Sequence, residues 1–350
     1  VVKRAVFAVP GDLATPTGGY GYDRRIVSEL GPLGWQVEVL NLGDGFPFPT
    51  AQVLDQAGKQ LAMLPPGQPI VVDGLAFGVM PEAAEVVGRS YPLVALVHHP
   101  LGLETGLSAA NAAVLCASEK RALAQAKHVI TTSPATARLL AADFGVPADR
   151  LTVVMPGTDR VSPQPRTGNG PVMLLAVGTV IPRKGYDVLV AALDKLADLP
   201  WRLIIVGDRE RSPDTTRQLD AAIARLDLRD RISFTGAVGS ERLPQLYASA
   251  DLFVLASRFE GYGMAYAEAV AQGLPVVGTS AGAIPDTVPQ GAGVLVPPDD
   301  AEALAAALRP LIADRAQRDA LAAGARKAAA SLPTWRDSAL RFAQVLDRLG

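Results

Sequence analysis

The stretch Ala256-Ser-Arg-Phe-Glu260-Gly-Tyr-Gly-Met-Ala265-Tyr-Ala-Glu268-Ala-Val-Ala-Gln-Gly273-Leu-Pro275-Val-Val-Gly-Thr-Ser280-Ala-Gly-Ala-Ile-Pro285 decides how the chain is read. It follows Asp251-Leu-Phe-Val-Leu-Ala256, an apolar run with the look of a buried strand. Gly261 and Gly263 then open a helix, and Pro275-Val-Val-Gly-Thr begins a second strand. Glu260 stands just before the glycines and Glu268 lies on the second turn of the helix. A strand, a glycine turn, a helix and a strand make one unit of a parallel α/β sheet. Its mouth suits an anion at the helix N-terminus and hydroxyls beside the carboxylates.

The same alternation extends in both directions. Strands are expected at Arg4–Val9, Trp35–Leu40, Ile70–Asp73, Leu93–Val97, Val129–Thr132 and Leu151–Met155. They are rich in Val, Ile and Leu with little polar alternation, as in parallel strands covered on both faces. Between them lie helical patterns: one after Gly19, one from Ser108 to about Gln125, and one with Ser133 as N-cap and Pro134 in its first turn. From Pro156 to Gly170 three prolines and three glycines mark an interdomain linker. A second series follows, with strands at Val172–Val177, Leu203–Val206, Ile232–Phe234, Leu252–Leu255, Val276–Gly278 and Gly293–Val296. A long Ala-rich helix is expected from Ala301 to Ala330, and a last helix from Thr334 to Leu349 after Pro333. The expected fold class is α/β: two Rossmann-like, doubly wound domains facing each other across a cleft. The first is expected over 1–165, joined by the C-terminal helix 334–350, and the second over 166–333.

Composition narrows the partners. The chain has 350 residues and is 49% hydrophobic, which suffices for two cores. A formal net charge of −2 gives no bulk attraction to nucleic acid or to anionic lipid. The single cysteine, Cys116, excludes an intramolecular disulfide and reads as a lone buried thiol. No apolar run reaches the ~18 residues of a membrane span, and no basic amphipathic helix indicates a membrane surface. The N-terminus runs straight into a strand, without the pattern of a signal peptide, so a cytoplasmic protein is expected.

Each candidate site has a bland alternative. Gly178-Thr-Val-Ile-Pro-Arg183-Lys184-Gly185 follows a strand and precedes a helix starting near Tyr186. Two cations at a sheet's C-terminal edge would neutralise a diphosphate, or they form a solvated charged turn. Glu268 has the apolar neighbours Ala267, Ala269, Val270 and Ala271. A carboxylate among them needs a partner, and a vicinal diol such as a ribose supplies two donors. Glu260, near the positive end of the helix, is expected to be ionised. Val238 follows Phe234-Thr-Gly236 in a loop that would present backbone to a base, or be a plain turn. In the first half, Thr17-Gly18-Gly19-Tyr-Gly21 opens a helix but is not Gly-x-Gly-x-x-Gly, so no dinucleotide fingerprint is present. His98-His99-Pro100 ends a strand, with Glu104 in the loop beyond. Neither histidine has companions at metal-ligand spacing, so no metal site is expected. His128 reads as structural, and Asp23, Arg24 and Arg25 as a solvated helix face.

Taken together these motifs resemble the retaining, nucleotide-sugar-dependent glycosyltransferases of family 4, with the GT-B fold. The resemblance covers nearly all of the chain and is strongest from Val153 to Pro298. It rests on Met155-Pro-Gly-Thr-Asp159, on Val177-Gly178-Thr179-Val180 with Lys184-Gly185, on Ser257 to Glu268 with Tyr262 and Met264 as substitutions, and on Gly273-Leu-Pro-Val-Val277. It implies that Lys184 contacts the donor diphosphate and that the amides of Gly263, Met264 and Ala265, after Gly261 and Tyr262, face the phosphates or the sugar. It further implies Glu260 on the sugar hydroxyls, Glu268 on the ribose and Val238 against the base. In the first half, Gly18 and Gly19 would border donor phosphates and acceptor, and His98 would approach the donor sugar. Two departures stand out. Thr179 occupies a position where many members have Arg, with Arg183 as the replacement cation. His99 occupies one where many have an acidic residue, so either histidine could face the donor.

The resulting expectation is a metal-independent retaining hexosyltransferase. It would use a UDP- or GDP-sugar as co-substrate and no other cofactor. The catalytic set would be His98, Arg183, Lys184 and Glu260, with His99 and Glu104 on the acceptor side. The alternatives are a nucleotide-sugar epimerase of the same fold and a non-catalytic two-lobed binding protein.

Overall fold

The computed structural model describes residues 3–159 and 170–350. The chain divides into two compact units, Val1–Gly157 with Pro333–Gly350, and Thr158–Leu332. The expected boundary between 165 and 166, and most of the expected linker 156–170, lie outside the described residues.

In the first unit, β1 (Lys3–Val9), β2 (Trp35–Asn41), β3 (Ile70–Asp73), β4 (Leu93–Val97), β5 (His128–Thr131) and β6 (Leu151–Val153) form one sheet. Its order is β2-β1-β3-β4-β5-β6, and every pairing is parallel. Every residue of β3 and β4 is buried, as two-sided helix cover requires. Edge strand β2 buries only Trp35. Ser108 and Ser133 cap their helices, accepting from the amides of Asn111 and Thr136. Helix Trp335–Asp347 also belongs to this unit. Thr334 and Asp337 form a capping box at its start, and its fully buried Phe342 stacks on Phe7 at 6.2 Å.

The second unit repeats the plan. Its strands are β7 (Val172–Val177), β8 (Trp201–Val206), β9 (Ile232–Gly236), β10 (Leu252–Val254), β11 (Val276–Thr279) and β12 (Gly293–Val296). They run parallel in the order β12-β11-β10-β7-β8-β9. Both units are therefore Rossmann-like, doubly wound α/β sheets, as the alternation of elements implies. The Ala-rich stretch is two helices, Ala301–Ala313 and Arg315–Ala329, where the sequence suggests one. Asp314 breaks it: its backbone is extended and its side chain caps the next helix by accepting from the Ala316 amide. Pro310 supplies no backbone N–H within the first of the two.

Strand order positions the chemistry. In each sheet the chain winds outward to one side, then returns and winds to the other. In the first unit the reversal falls between β1 and β3, and in the second between β7 and β10. The segments leaving the carboxyl ends of such neighbours diverge to opposite faces and leave a crevice. Among the described residues no helix is long and apolar enough to cross a membrane.

Candidate active site

In the second unit the crevice lies between the segments that follow β7 and β10. The first runs Gly178 to Lys184 and ends in a 3-10 turn, Pro182–Lys184. The second runs from Leu255 to Gly263, where helix Met264–Ala271 begins. Gly185, at φ +64°, brings them together: a Cβ there would overlap the carbonyl oxygen of Ala256. The Arg258 amide donates to the Arg183 carbonyl at 2.7 Å. The Arg258 guanidinium grips Asp187 through two bonds (2.7 and 3.1 Å), and also bonds Asp299 at 2.6 Å and the Pro182 carbonyl.

The latch puts three predicted residues in contact. Lys184 Nζ donates to Glu260 Oε1 at 2.6 Å and Arg183 Nη1 to Glu260 Oε2 at 3.1 Å. The Ser257 hydroxyl also donates to Oε1, at 2.6 Å. Glu260 is 6% exposed. Burial would raise its pKa, but Lys184 and then Arg183 outweigh burial and hold it at about 2. The carboxylate is ionised, as expected, but the neighbouring cations are the cause rather than the helix end. Arg183 and Lys184 do not form a solvated turn, since their side chains are 19% and 14% exposed.

Glu268 lies on the second turn of helix Met264–Ala271, half-buried. Its Oε2 accepts from the Tyr247 hydroxyl at 2.8 Å. Burial raises its pKa to about 7, against the lowering effect of that hydrogen bond. The helix start is set by Gly263 at φ +92°, a backbone shape glycine adopts without strain. Gly261, Tyr262 and Gly263 are buried at this mouth, and Met264 and Ala265 are half-buried. Val238 lies in the loop after β9, packed against the unit's core.

The first unit has its own arrangement at its reversal point. Thr17 caps helix Gly18–Leu30, accepting from the Tyr20 amide. His98, just past β4, places Nε2 2.9 Å from Asp23 Oδ1 and 3.5 Å from Asp73 Oδ2. A Cβ on Gly19 would come within 3.3 Å of the His98 ring, while one on Gly18 would meet open space. His99 Nε2 is 3.9 Å from Glu104 Oε2, and the other oxygen of Glu104 accepts the Thr105 amide. His128 bonds Thr152 Oγ1 at 2.9 Å within the sheet, and Cys116 is half-buried.

Two readings of the sequence need correction. Asp23 is not part of a solvated face: it is fully buried. Arg24 is exposed and Arg25 covers the Trp335 ring at 5.1 Å, so the three neighbours have three environments. The second concerns grouping. Asp23, Asp73 and His98 place one ligand atom each within 4.8 Å of one another, a trio no local spacing announces. Tyr247 carries no signal in the sequence, and Ser257 and Arg258 lie inside the quoted motif, which by itself assigns them no role.

Family models match both halves of the chain. One described as Glycosyltransferase Family 4 matches residues 24–161, and one described as Glycosyl transferases group 1 matches residues 171–314. The MMP alpha-(1->4)-mannosyltransferase of Mycolicibacterium hassiacum is 28% identical over 319 residues, covering 87% of this chain and 76% of that protein. The GDP-mannose-dependent alpha-(1-6)-phosphatidylinositol monomannoside mannosyltransferase of Mycolicibacterium smegmatis is 31% identical over 236 residues, 59% of this chain and 58% of that protein. Among solved structures, sucrose-phosphate synthase from Thermosynechococcus elongatus aligns with a TM-score of 0.82 at 22% identity, over 98% of each chain. At that identity the likeness speaks to the fold alone.

Proposed function

The chain belongs to the family 4 glycosyltransferases, enzymes of the GT-B fold, and we propose that it moves a hexosyl group from a UDP- or GDP-sugar to an acceptor hydroxyl with retention at the anomeric carbon. The observation that carries this reading is the buried Glu260 carboxylate held by Lys184 and Arg183 at the mouth of helix Met264–Ala271. A hexose offers hydroxyl donors for Glu260, and a nucleoside diphosphate offers charge for the two cations.

The roles follow from this arrangement. Breaking the anomeric C–O bond leaves negative charge on the departing diphosphate. Lys184 and Arg183, with the first-turn amides of Met264 and Ala265, stabilise that charge as it develops. An ammonium has three donors, so Lys184 can hold Glu260 and a phosphate oxygen together. Glu260 orients the sugar through its hydroxyls. Glu268, with Oε2 held by Tyr247, presents its carboxylate to the ribose diol. The leaving phosphate takes the acceptor's proton on the face from which it departs, which is how retention arises without a covalent sugar–enzyme intermediate. The two cations take the charge-neutralising part a metal ion plays elsewhere, so the reaction is proposed to be metal-independent. The relatives named as mannosyltransferases make GDP-mannose the first donor to try, beside UDP-hexoses.

Lys184→Ala tests the assignment. Loss of one charge-stabilising donor costs about 10²–10³ in kcat. Transfer is expected to fall at least that far while the circular dichroism spectrum stays that of the parent. Unchanged turnover would overturn the assignment.

A further inference from the structure

The transfer scheme gives Arg258 no part, although it adjoins Ser257 in the segment that carries Glu260. Its backbone N–H donates to the Arg183 carbonyl at 2.7 Å, and its Nη1 donates to the Pro182 carbonyl. These are the two carbonyls immediately before Lys184. On the other side of Lys184, Gly185 lies so close to the Ala256 carbonyl that a Cβ there would overlap its oxygen. The main chain is therefore pinned on both sides of Lys184 by residues 256–258.

The same guanidinium reaches two further segments. Nη1 and Nη2 take the two oxygens of Asp187, at 3.1 and 2.7 Å, in the first turn of helix Tyr186–Asp194. Nε donates to Asp299 Oδ1 at 2.6 Å. Asp299 lies in the loop after β12 at φ +59°, a backbone shape that costs a residue with a Cβ. The segments leaving β7, β10 and β12 thus converge on one side chain. Exposed ion pairs contribute little, and Asp187 and Asp299 are exposed. Arg258 differs from such a pair. Its side chain is 22% exposed, its grip on Asp187 is bidentate, and it also bonds the main chain of the turn. An arginine has five N–H donors, and four bonds to protein acceptors engage this one. That is the build of a brace rather than of a third phosphate cation.

We propose that Arg258 is a positioning residue: it braces the turn 182–185 so that the cations of Lys184 and Arg183 are held ready for the diphosphate of a nucleotide sugar bound to the second unit. That the ligand is a nucleoside diphosphate rests on the reading under Proposed function; the bracing of the turn does not. What the position requires is the planar fork, which a lysine cannot supply, and not its charge alone.

Two variants separate fork from charge: Arg258→Lys keeps the charge and loses the fork, and Arg258→Met loses both. Hydrogen exchange in the ligand-free proteins reads the brace at the amides of Lys184, Gly185 and residue 258, which bond the carbonyls of Ile181, Pro182 and Arg183. Exchange there should quicken by about tenfold in both variants while the amides of β8 keep the parent's protection. In binding titrations GDP or UDP, whichever the parent binds, should lose about tenfold in affinity, as the loss of roughly 1.4 kcal/mol gives. The matching nucleoside, guanosine or uridine, should bind as it does to the parent. Turnover should fall by up to about a hundredfold, the scale set by a misplacement of roughly 1 Å. Parent-like exchange at Lys184 and Gly185 in both variants overturns the proposal. So does parent affinity for the diphosphate in a variant whose turn exchanges faster, or an equal loss for diphosphate and nucleoside, the mark of a merely structural residue. Full diphosphate affinity in Arg258→Lys with loss in Arg258→Met would mean that charge is what serves, and the brace is wrong. If the parent binds neither GDP nor UDP, the transferase reading fails by itself, and exchange still judges the brace. Should neither variant fold, Asp187→Asn, which weakens the grip and leaves the arginine, decides by the same measurements with the same signs.

Discussion

Replacing Glu260 by Gln tests the second unit's site most sharply, because it should damage the fold and spare one kind of binding. The substitution keeps the shape and removes the charge that Lys184 and Arg183 share. A carboxyl lowered from 4.5 to about 2 has gained roughly 3 kcal/mol, at 1.36 kcal/mol per pH unit. Breaking a buried pair by removing one partner costs about 3–5 kcal/mol. The two cations keep some access to water, which favours the lower figure. We therefore expect Glu260→Gln to lose about 3 kcal/mol at pH 7. Hydrogen exchange at the amides of β7 and β10 would read this loss in the second unit alone. Because the pKa is depressed in the folded state, the contribution is fully present above pH 4.5. It fades as pH falls toward 2, so the gap between variant and parent should close in acid. The freed cations should still hold UDP or GDP at least as tightly as the parent does. A nucleotide at a hundred times its Kd would then restore about 2.7 kcal/mol, while sugar transfer stays lost. Equal exchange rates in variant and parent, or wild-type transfer by the variant, would refute the reasoning.

Two other expectations concern the same unit. Burial raises the Glu268 pKa to about 7, so nucleotide affinity should be greatest above pH 7 and fall as pH drops through it. Tyr247→Phe removes a bond that lowers this pKa, and calorimetric titration should show the midpoint move upward. Gly185→Ala should cost more than the ~1 kcal/mol of an ordinary glycine exchange, since φ is +64° and the new Cβ would overlap the Ala256 carbonyl. Thermal unfolding together with the KM for the donor would show whether the turn at Arg183 and Lys184 has moved.

Strands were legible because a parallel strand buried on both faces is written as a continuous apolar run. Val172–Val177, Leu93–Val97 and Gly293–Val296 have the bounds the sequence suggests. Glu260 and Glu268 were legible because one short motif contains both. Asp23 was misread because its surroundings are not local: His98 is 75 positions away, and the two residues that follow it in sequence, Arg24 and Arg25, are both charged. Tyr247 was invisible for the same reason, 21 positions from the carboxylate it bonds. The break at Asp314 failed differently. Alanine on both sides favours helix so strongly that one capping aspartate was outvoted, although its extended backbone ends one helix and its carboxylate starts the next.

Helix Trp335–Asp347 has a consequence for the order of events during synthesis. Phe342 packs on Phe7, and Trp335 packs against Tyr22 at 6.0 Å. A ribosome delivers these partners only after all of Thr158–Leu332. The unit that is begun first is therefore completed last. Domains generally fold in the order in which they emerge, but here the later one can close while the earlier one waits with an open flank. Pulse proteolysis of chains stalled at Leu332 should find the second unit protected and the first still open to cleavage.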